Sequence, residues 1–302
     1  MKSLALIPIA LLLMLLPACG PATTGAAALP SMTPEINTPT WQRIPAGEYV
    51  AGQFDHEATI AYDYEIMITP VTNAEYAGYL NAALAAGTVT ATEESVVGPY
   101  PGDPFHGHEH EEEIRAGDWL LLPIGDPASR LIYDGTTFTI MEGYAQHPIT
   151  MVSWFGAWRY CRAQGGRLPT DSEWEKAARG TDNRPFPWGD EIEGAHANYS
   201  KSGDPFGATS GTTPVGFYNG ATYDGYHTRD GASPYGIYDM AGNVWEWTGD
   251  VHEGTHNRSL RGGSYTNYGY DLRIWSHNNA TPIHVAPNVG FRCARDSQGT
   301  AP

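Results

Sequence analysis

Apolar residues are seldom periodic along this chain, and the three stretches where they are carry their own start and stop signals. Thr72 to Glu75 read TNAE, a capping box in which threonine and glutamate side chains each take up the other residue's backbone N–H. Tyr76, Leu80 and Leu84 follow at a four-residue period, which predicts a helix over 73–85. A second helix is predicted after Ser153, with Trp154, Trp158 and Cys161 on one face and Gly165–Gly166 as its stop. That face points Cys161 inward. The third begins at PTDSEWEKAARG, where Thr170 caps, Glu173 completes the box and Gly180 ends the helix.

Elsewhere the apolar runs are short and broken by turn residues such as YNG, RDG and PYG, in a chain with 35 glycines and 23 prolines. This predicts short strands joined by long ordered loops, whose buried backbone must find partners internally or on bound ions. Gly87 to about Gly143 reads as an insertion and holds GDPFHGHEHEEEIR. In an extended segment His106, His108 and His110 would share a face, and with Glu109 and Glu111 to Glu113 beside them they suit a transition metal. The alternative is a solvated charged loop.

The N-terminus has a different pattern. Lys2 followed by an apolar run from Leu4 to Leu16 has the form of an export signal over 1–18, too short to span a membrane comfortably. LLPACG then resembles a lipobox, with Cys19 as the lipidated residue; an ordinary signal peptide with an incidental Cys19 would equally predict export. Residues 19–40, rich in Pro, Ala and Thr, are expected to be a disordered tether, and 41–296 one domain with a short tail at 297–302. Lipid anchoring at the cell envelope, at the outer membrane or surface, follows as an expectation.

Charge narrows the partners. With 17 basic and 34 acidic residues the net charge is −17, which argues against nucleic-acid binding and suits solubility or cation binding. Two cysteines remain for the domain, Cys161 and Cys293, and in an oxidising compartment the simplest reading is a disulfide. Two separately buried thiols are the alternative.

Seven phrases, in order, carry a resemblance: IPAGEYVAGQ from Ile44, ITPVTNAEYAGYL from Ile68, HPITMVSWFGAWRYCRAQGGRLPTDSEWEKAARG from His147, FPWGDE from Phe186, GIYDMAGNVWEWTGD from Gly236, LRGGSY from Leu260 and NVGFRCAR from Asn288. Together they resemble the formylglycine-generating enzyme, or sulfatase-modifying factor, family from Trp41 to Arg295. The resemblance implies an α+β, C-type-lectin-related single domain with little regular structure, short strands and about three helices. It also implies a Cys161–Cys293 disulfide.

YDMAGNVWEW is an oxygen-rich loop of the kind that hard cations occupy. By resemblance, Asp239 and Glu246 would offer side chains and Gly242 and Val244 carbonyls to a structural calcium, unless the two carboxylates cap turns or meet arginines. A second calcium set would be Asn198, Tyr199 and Asp204.

The sulfatase-activating relatives oxidise a substrate cysteine with a copper-binding cysteine pair just after GGS. In this chain those positions are Asn267 and Leu272, neither of which can act as thiolate ligand or redox centre. No copper is therefore expected. Trp245, Ser264, Tyr265, Asn267 and Tyr270 would line the groove in which relatives hold an extended peptide, and His277 and His284 lie near it as candidate bases or ligands. Arg261 and Arg292 are expected to pair with internal carboxylates. The functional expectation is a calcium-stabilised binding or assembly module for a peptide, glycan or envelope protein. The alternative is a metal-dependent oxidoreductase acting on an exported protein or small molecule.

Overall fold

The computed structural model describes residues 29–30, 32–54, 56–207, 211–252 and 254–297. The stretch expected to be an export signal, Cys19 and the last five residues lie outside them. In chain order, β1 (Trp41–Ile44), β2 (Gly47–Ala51), β3 (His56–Ile60) and β4 (Tyr64–Met67) precede helix α1 (Asn73–Ala85). The insertion holds β5 (Thr90–Ala91), β6 (Val96–Tyr100), β7 (Gly117–Leu122), β8 (Leu131–Tyr133) and β9 (Phe138–Ile140). Helices α2 (Trp154–Ala163) and α3 (Asp171–Arg179) follow, then β10 (Thr222–Tyr223) and β11 (Tyr226–His227). The chain closes with β12 (Trp245–His252), β13 (Asn257–Arg261), β14 (His277–Ala280), β15 (Val289–Phe291) and β16 (Ala294–Asp296).

All three helices start where the sequence places them. Thr72 with Glu75 and Thr170 with Glu173 form complete capping boxes, and the Ser153 side chain accepts from Gly156 N. The main sheet has the order β14-β13-β12-β15, with β15 parallel to β12, and the smaller sheet β1-β4-β16 brings both ends of the domain together.

Cys161 on α2 and Cys293 between β15 and β16 are joined in a disulfide, with both residues buried and Cα atoms 5.4 Å apart. This links parts of the chain 132 residues apart. Helix α3 spends its cations inward: Lys176 Nζ donates to the Pro45 and Gly47 carbonyls at 2.7 and 2.9 Å, and Arg179 Nη1 to those of Val50 and Gly52. The β2–β3 hairpin is thereby held by side chains where its own backbone leaves carbonyls free.

The insertion packs as part of the body. Trp119 of β7 stacks on Phe155 of α2 with ring centroids 4.7 Å apart, and Arg159 Nη1 donates to Pro99 O at 2.6 Å. The stretch expected as a tether also differs over its described part. Leu29 and Met32 pack against the cluster of Phe206, Phe217 and Tyr218, Pro34 is buried, and Thr40 O accepts from Ile68 N. A few apolar side chains in a Pro-, Ala- and Thr-rich stretch suffice to dock it where a hydrophobic cluster waits.

Candidate functional site

Gly262 and Gly263 lead from β13 into the loop expected to border the groove. Both have positive φ, and a Cβ on either would press to within 3.1 Å of the Trp174 ring or 3.0 Å of Leu272. The paired glycines therefore serve backbone conformation and close packing. Beyond them Asn267 folds back as a turn cap: its side-chain oxygen accepts from Ser264 N at 3.1 Å and from Ser264 Oγ at 2.7 Å. Asn288 Nδ2 ties the same turn down through Ser264 Oγ and Thr266 Oγ1.

Leu272 lies in the interior. It is wholly buried, packed with Phe186, Ala197 and Ala241. The two positions to which the resemblance assigns thiols, Asn267 and Leu272, are thus a turn cap and a core side chain. Cys161 and Cys293 are bonded to each other.

The expected groove residues do not form one surface. Trp245 and Asn267 line a shallow cavity of about 430 Å³ with Asp271, Trp275, Ser276, His277 and Asn278. Ser264 is buried beneath the turn, and Tyr265 leans toward the neighbouring cavity beside Asn198. Tyr270 is exposed on the rim, its ring parallel to that of Tyr268 with centroids 6.2 Å apart. His277 thus borders the cavity, whereas His284 sits edge-on to Trp247 and is not among the lining residues.

The first expected calcium set lies in the interior. Glu246 is fully buried and grips Arg292 with both oxygens, Nε to Oε2 and Nη2 to Oε1 each at 2.7 Å, while Trp174 Nε1 donates to Oε2 at 2.8 Å. Its charge meets that of Arg292 inside the core. Asp239 accepts from Gly216 N at 2.6 Å, and burial pushes its carboxyl up to about 6 against the favourable pull of that N–H and of Arg292. Gly242 and Val244 are buried in the turn between them.

The second set does come together. Asn198, Tyr199 and Asp204 line one cavity of about 400 Å³, together with the glycines 203, 207 and 211. Asp204 is half-buried, and the loss of water raises its carboxyl pKa despite hydrogen bonds from Phe206 N and Ser202 Oγ. Lys201 lines the same cavity, but its Nζ lies over the Tyr268 ring at 5.8 Å. A hard cation would offset the hydration that this carboxylate has lost, and it would find carboxylate, amide and backbone oxygens around it. The two expected sets adjoin, since Asn243 N donates to Asn198 O at 2.8 Å.

These features can be set beside known proteins. The sulfatase-modifying factor enzyme 1-like domain matches residues 26–297. The chain belongs to this family. It is 38% identical over 260 residues to the formylglycine-generating enzyme of Mus musculus, a match that covers 76% of this chain and 65% of that enzyme. It thus spans just under two thirds of that relative's length. It is also 34% identical over 155 residues to inactive C-alpha-formylglycine-generating enzyme 2 of the same species, covering 49% of this chain and 48% of the relative. Among solved structures, PvdO from Pseudomonas aeruginosa superposes with a TM-score of 0.53 at 22% identity, over 85% of this chain and 94% of that one. The expected α+β family fold, with three helices and many short strands, is the one found.

Sequence reasoning missed His256, which stands in the β12–β13 turn against the insertion. Of the three alternating histidines, it is His106 that reaches it, while His108 and His110 stay outside the group. A lone histidine in a hairpin turn carries no local signal of a partner elsewhere in the chain.

Proposed function

We propose that this is a sulfatase-modifying-factor domain retained as a binding or assembly module, without formylglycine-generating activity, and exported as an envelope lipoprotein anchored through Cys19. One observation carries the reading: Asn267 caps a turn, Leu272 fills the core, and the two domain cysteines are consumed in a disulfide. A copper-dependent oxidation needs soft thiolates at the groove, and an amide and an alkyl group offer neither metal affinity nor electrons. The similarity to a protein bearing the name inactive C-alpha-formylglycine-generating enzyme 2 is in keeping with the reading. The partner class we favour is an extended peptide or a glycan, for which the stacked Tyr268 and Tyr270 and the Trp245 cavity offer aromatic faces and polar edges.

Calcium at Asn198, Tyr199 and Asp204 would stabilise the loop beneath that rim. Lys2, the apolar run from Leu4 to Leu16 and LLPACG support export and lipidation.

The test is to incubate the full chain and a copper salt with a peptide carrying Cys-x-Pro-x-Arg under air, reading aldehyde formation by mass. The peptide should come back unchanged, and the protein should hold no copper(I) at stoichiometric strength. Conversion of the cysteine would overturn the reading. For calcium, a chelator should lower the melting temperature of the wild-type chain but not of Asp204→Asn; saturation at a hundred times Kd corresponds to about 2.7 kcal/mol. A wild-type melt indifferent to calcium would remove the cation from the proposal.

A further inference from the structure

The insertion and the β12–β13 hairpin, far apart in sequence, meet around three side chains. His256, in a left-handed turn conformation and 3% exposed, places its Nε2 at 2.9 Å from Glu111 Oε1. His106 brings its Nδ1 to 3.3 Å from the same oxygen. Ligand atoms of all three lie within 4.8 Å of one another, the one such group of three His, Cys, Asp or Glu residues among the described residues.

We infer that His106, Glu111 and His256 form a binding site for a zinc-class divalent transition metal, clamping the insertion to the hairpin. Donors at about 2.0–2.2 Å around a tetrahedral ion stand roughly 3.3 Å apart, and the two observed separations fall at or just inside that spacing. Two imidazoles with one carboxylate match zinc and its late first-row neighbours. Calcium and magnesium prefer oxygen donors alone, and copper(I) prefers sulfur.

The carboxylate is pre-set by its own loop. Backbone N–H groups of His106 and His108 donate to Glu111, each at 2.8–2.9 Å, so its position is set by main chain and not by the imidazole rings. The side chain is buried, while His106 is largely exposed, which leaves one side of the group open to solvent. Three protein ligands and one open position is the arrangement in which zinc keeps a water or takes a donor from a partner.

The surroundings of His256 support ligation through Nε2. Its other nitrogen, Nδ1, is buried without a hydrogen-bond partner and faces Asp103 Oδ2 at 3.8 Å. Asp103 is itself held by the Tyr100 hydroxyl at 2.6 Å and by the buried Arg258 guanidinium. A metal on Nε2 fixes the proton on Nδ1, and a small rotation of the ring would bring that N–H onto Asp103. Carboxylates behind metal-bound histidines commonly play this orienting part. The orphaned Nδ1 is otherwise a buried polar atom with no compensation.

The competing description is a plain hydrogen bond between Glu111 and His256 with His106 nearby by chance. Zinc titration of the full chain, stripped with chelator and followed by calorimetry, separates the two. Zinc should bind one to one, and calcium and magnesium should not compete. His106→Ala, at an exposed position, should weaken zinc at least tenfold with its melting temperature unchanged in the absence of metal. Glu111→Gln should weaken it as much or more, and cobalt(II) should give visible absorption bands of tetrahedral intensity that both variants lose. Asp204→Asn should leave zinc binding intact, so that the outcome is separate from that for calcium. If the wild-type chain binds zinc no better than His106→Ala, or if a His108→Ala/His110→Ala double variant is what abolishes binding, the inference is wrong.

Discussion

Two regions of this domain hold their shape by different means. Around β12, β15, α2 and α3 the chain is regular, buried and tied by a disulfide and by the Glu246–Arg292 pair. Among the described residues from about 185 to 243 and again from 264 to 272, regular structure is sparse, and polar side chains take over the work of backbone ladders. Asn198 donates to Gly211 O, Asn243 exchanges hydrogen bonds with Thr213, Asp239 receives Gly216 N and Asn267 caps the Ser264 turn. The contrast teaches that this fold carries long loops held by side-chain hydrogen bonds beside a regular core. Asn267 and Leu272 belong to the loop region, where the amide fulfils a local hydrogen-bonding role and the alkyl group a packing role.

The largest expected effect breaks the regular half. Glu246→Gln would leave Arg292 buried without its countercharge, at a cost of about 3–5 kcal/mol in urea unfolding. Glu246→Leu combined with Arg292→Met should recover much of that loss, because two charges no longer need burial. Equal midpoints for wild type and Glu246→Gln would show that the pair is not the centre of the core.

A smaller effect probes the junction between the halves. His147 is buried between Tyr144 and Phe206, its Nδ1 is 2.9 Å from Thr212 Oγ1, and its Nε2 has no hydrogen-bond partner. Burial, aided by the positive charge of Arg130, depresses its pKa to about 4. The unfolded chain takes up a proton near 6.5 that the native state refuses until about 4, so this contribution is complete above pH 6.5 and is lost as pH falls through that window. The loss is roughly 3 kcal/mol. His147→Gln should flatten the stability profile between those pH values. A slope that persists unchanged would assign it to other groups.

The smallest effect tests the loop half. Asn267→Ala removes the acceptor of two hydrogen bonds from Ser264 and should cost about 1 kcal/mol, with the core unaffected. A loss as large as that from Glu246→Gln would mean that the loop is not energetically separate from the sheet.

Much of the frame was legible because its signals are short-range. Capping boxes at Thr72 and Thr170 and the serine cap at 153 each involve residues within one turn, so a window of four residues decides them. The opportunity for a disulfide was also legible, from cysteine number, helix face and compartment. The candidate sites were less so. Glu246 reads as a cation ligand or as an arginine's partner, and only the fold brings Arg292, 46 residues away, onto it. Leu29 and Met32 look solvent-bound in their local composition, and only the Phe206 cluster gives them somewhere to go.

What the sequence by itself determined, then, was the family, the positions of the helices and the absence of thiols at 267 and 272, all matters of residue identity and near-neighbour chemistry. Tertiary structure alone decided that Glu246 is neutralised inside the core, that Asn198 and Asp204 share a cavity, and that His256 meets His106 and Glu111. Those outcomes depend on which distant groups come within a few ångströms of each other. Electrostatic and coordinate bonds act over that distance in space, whatever the separation along the chain.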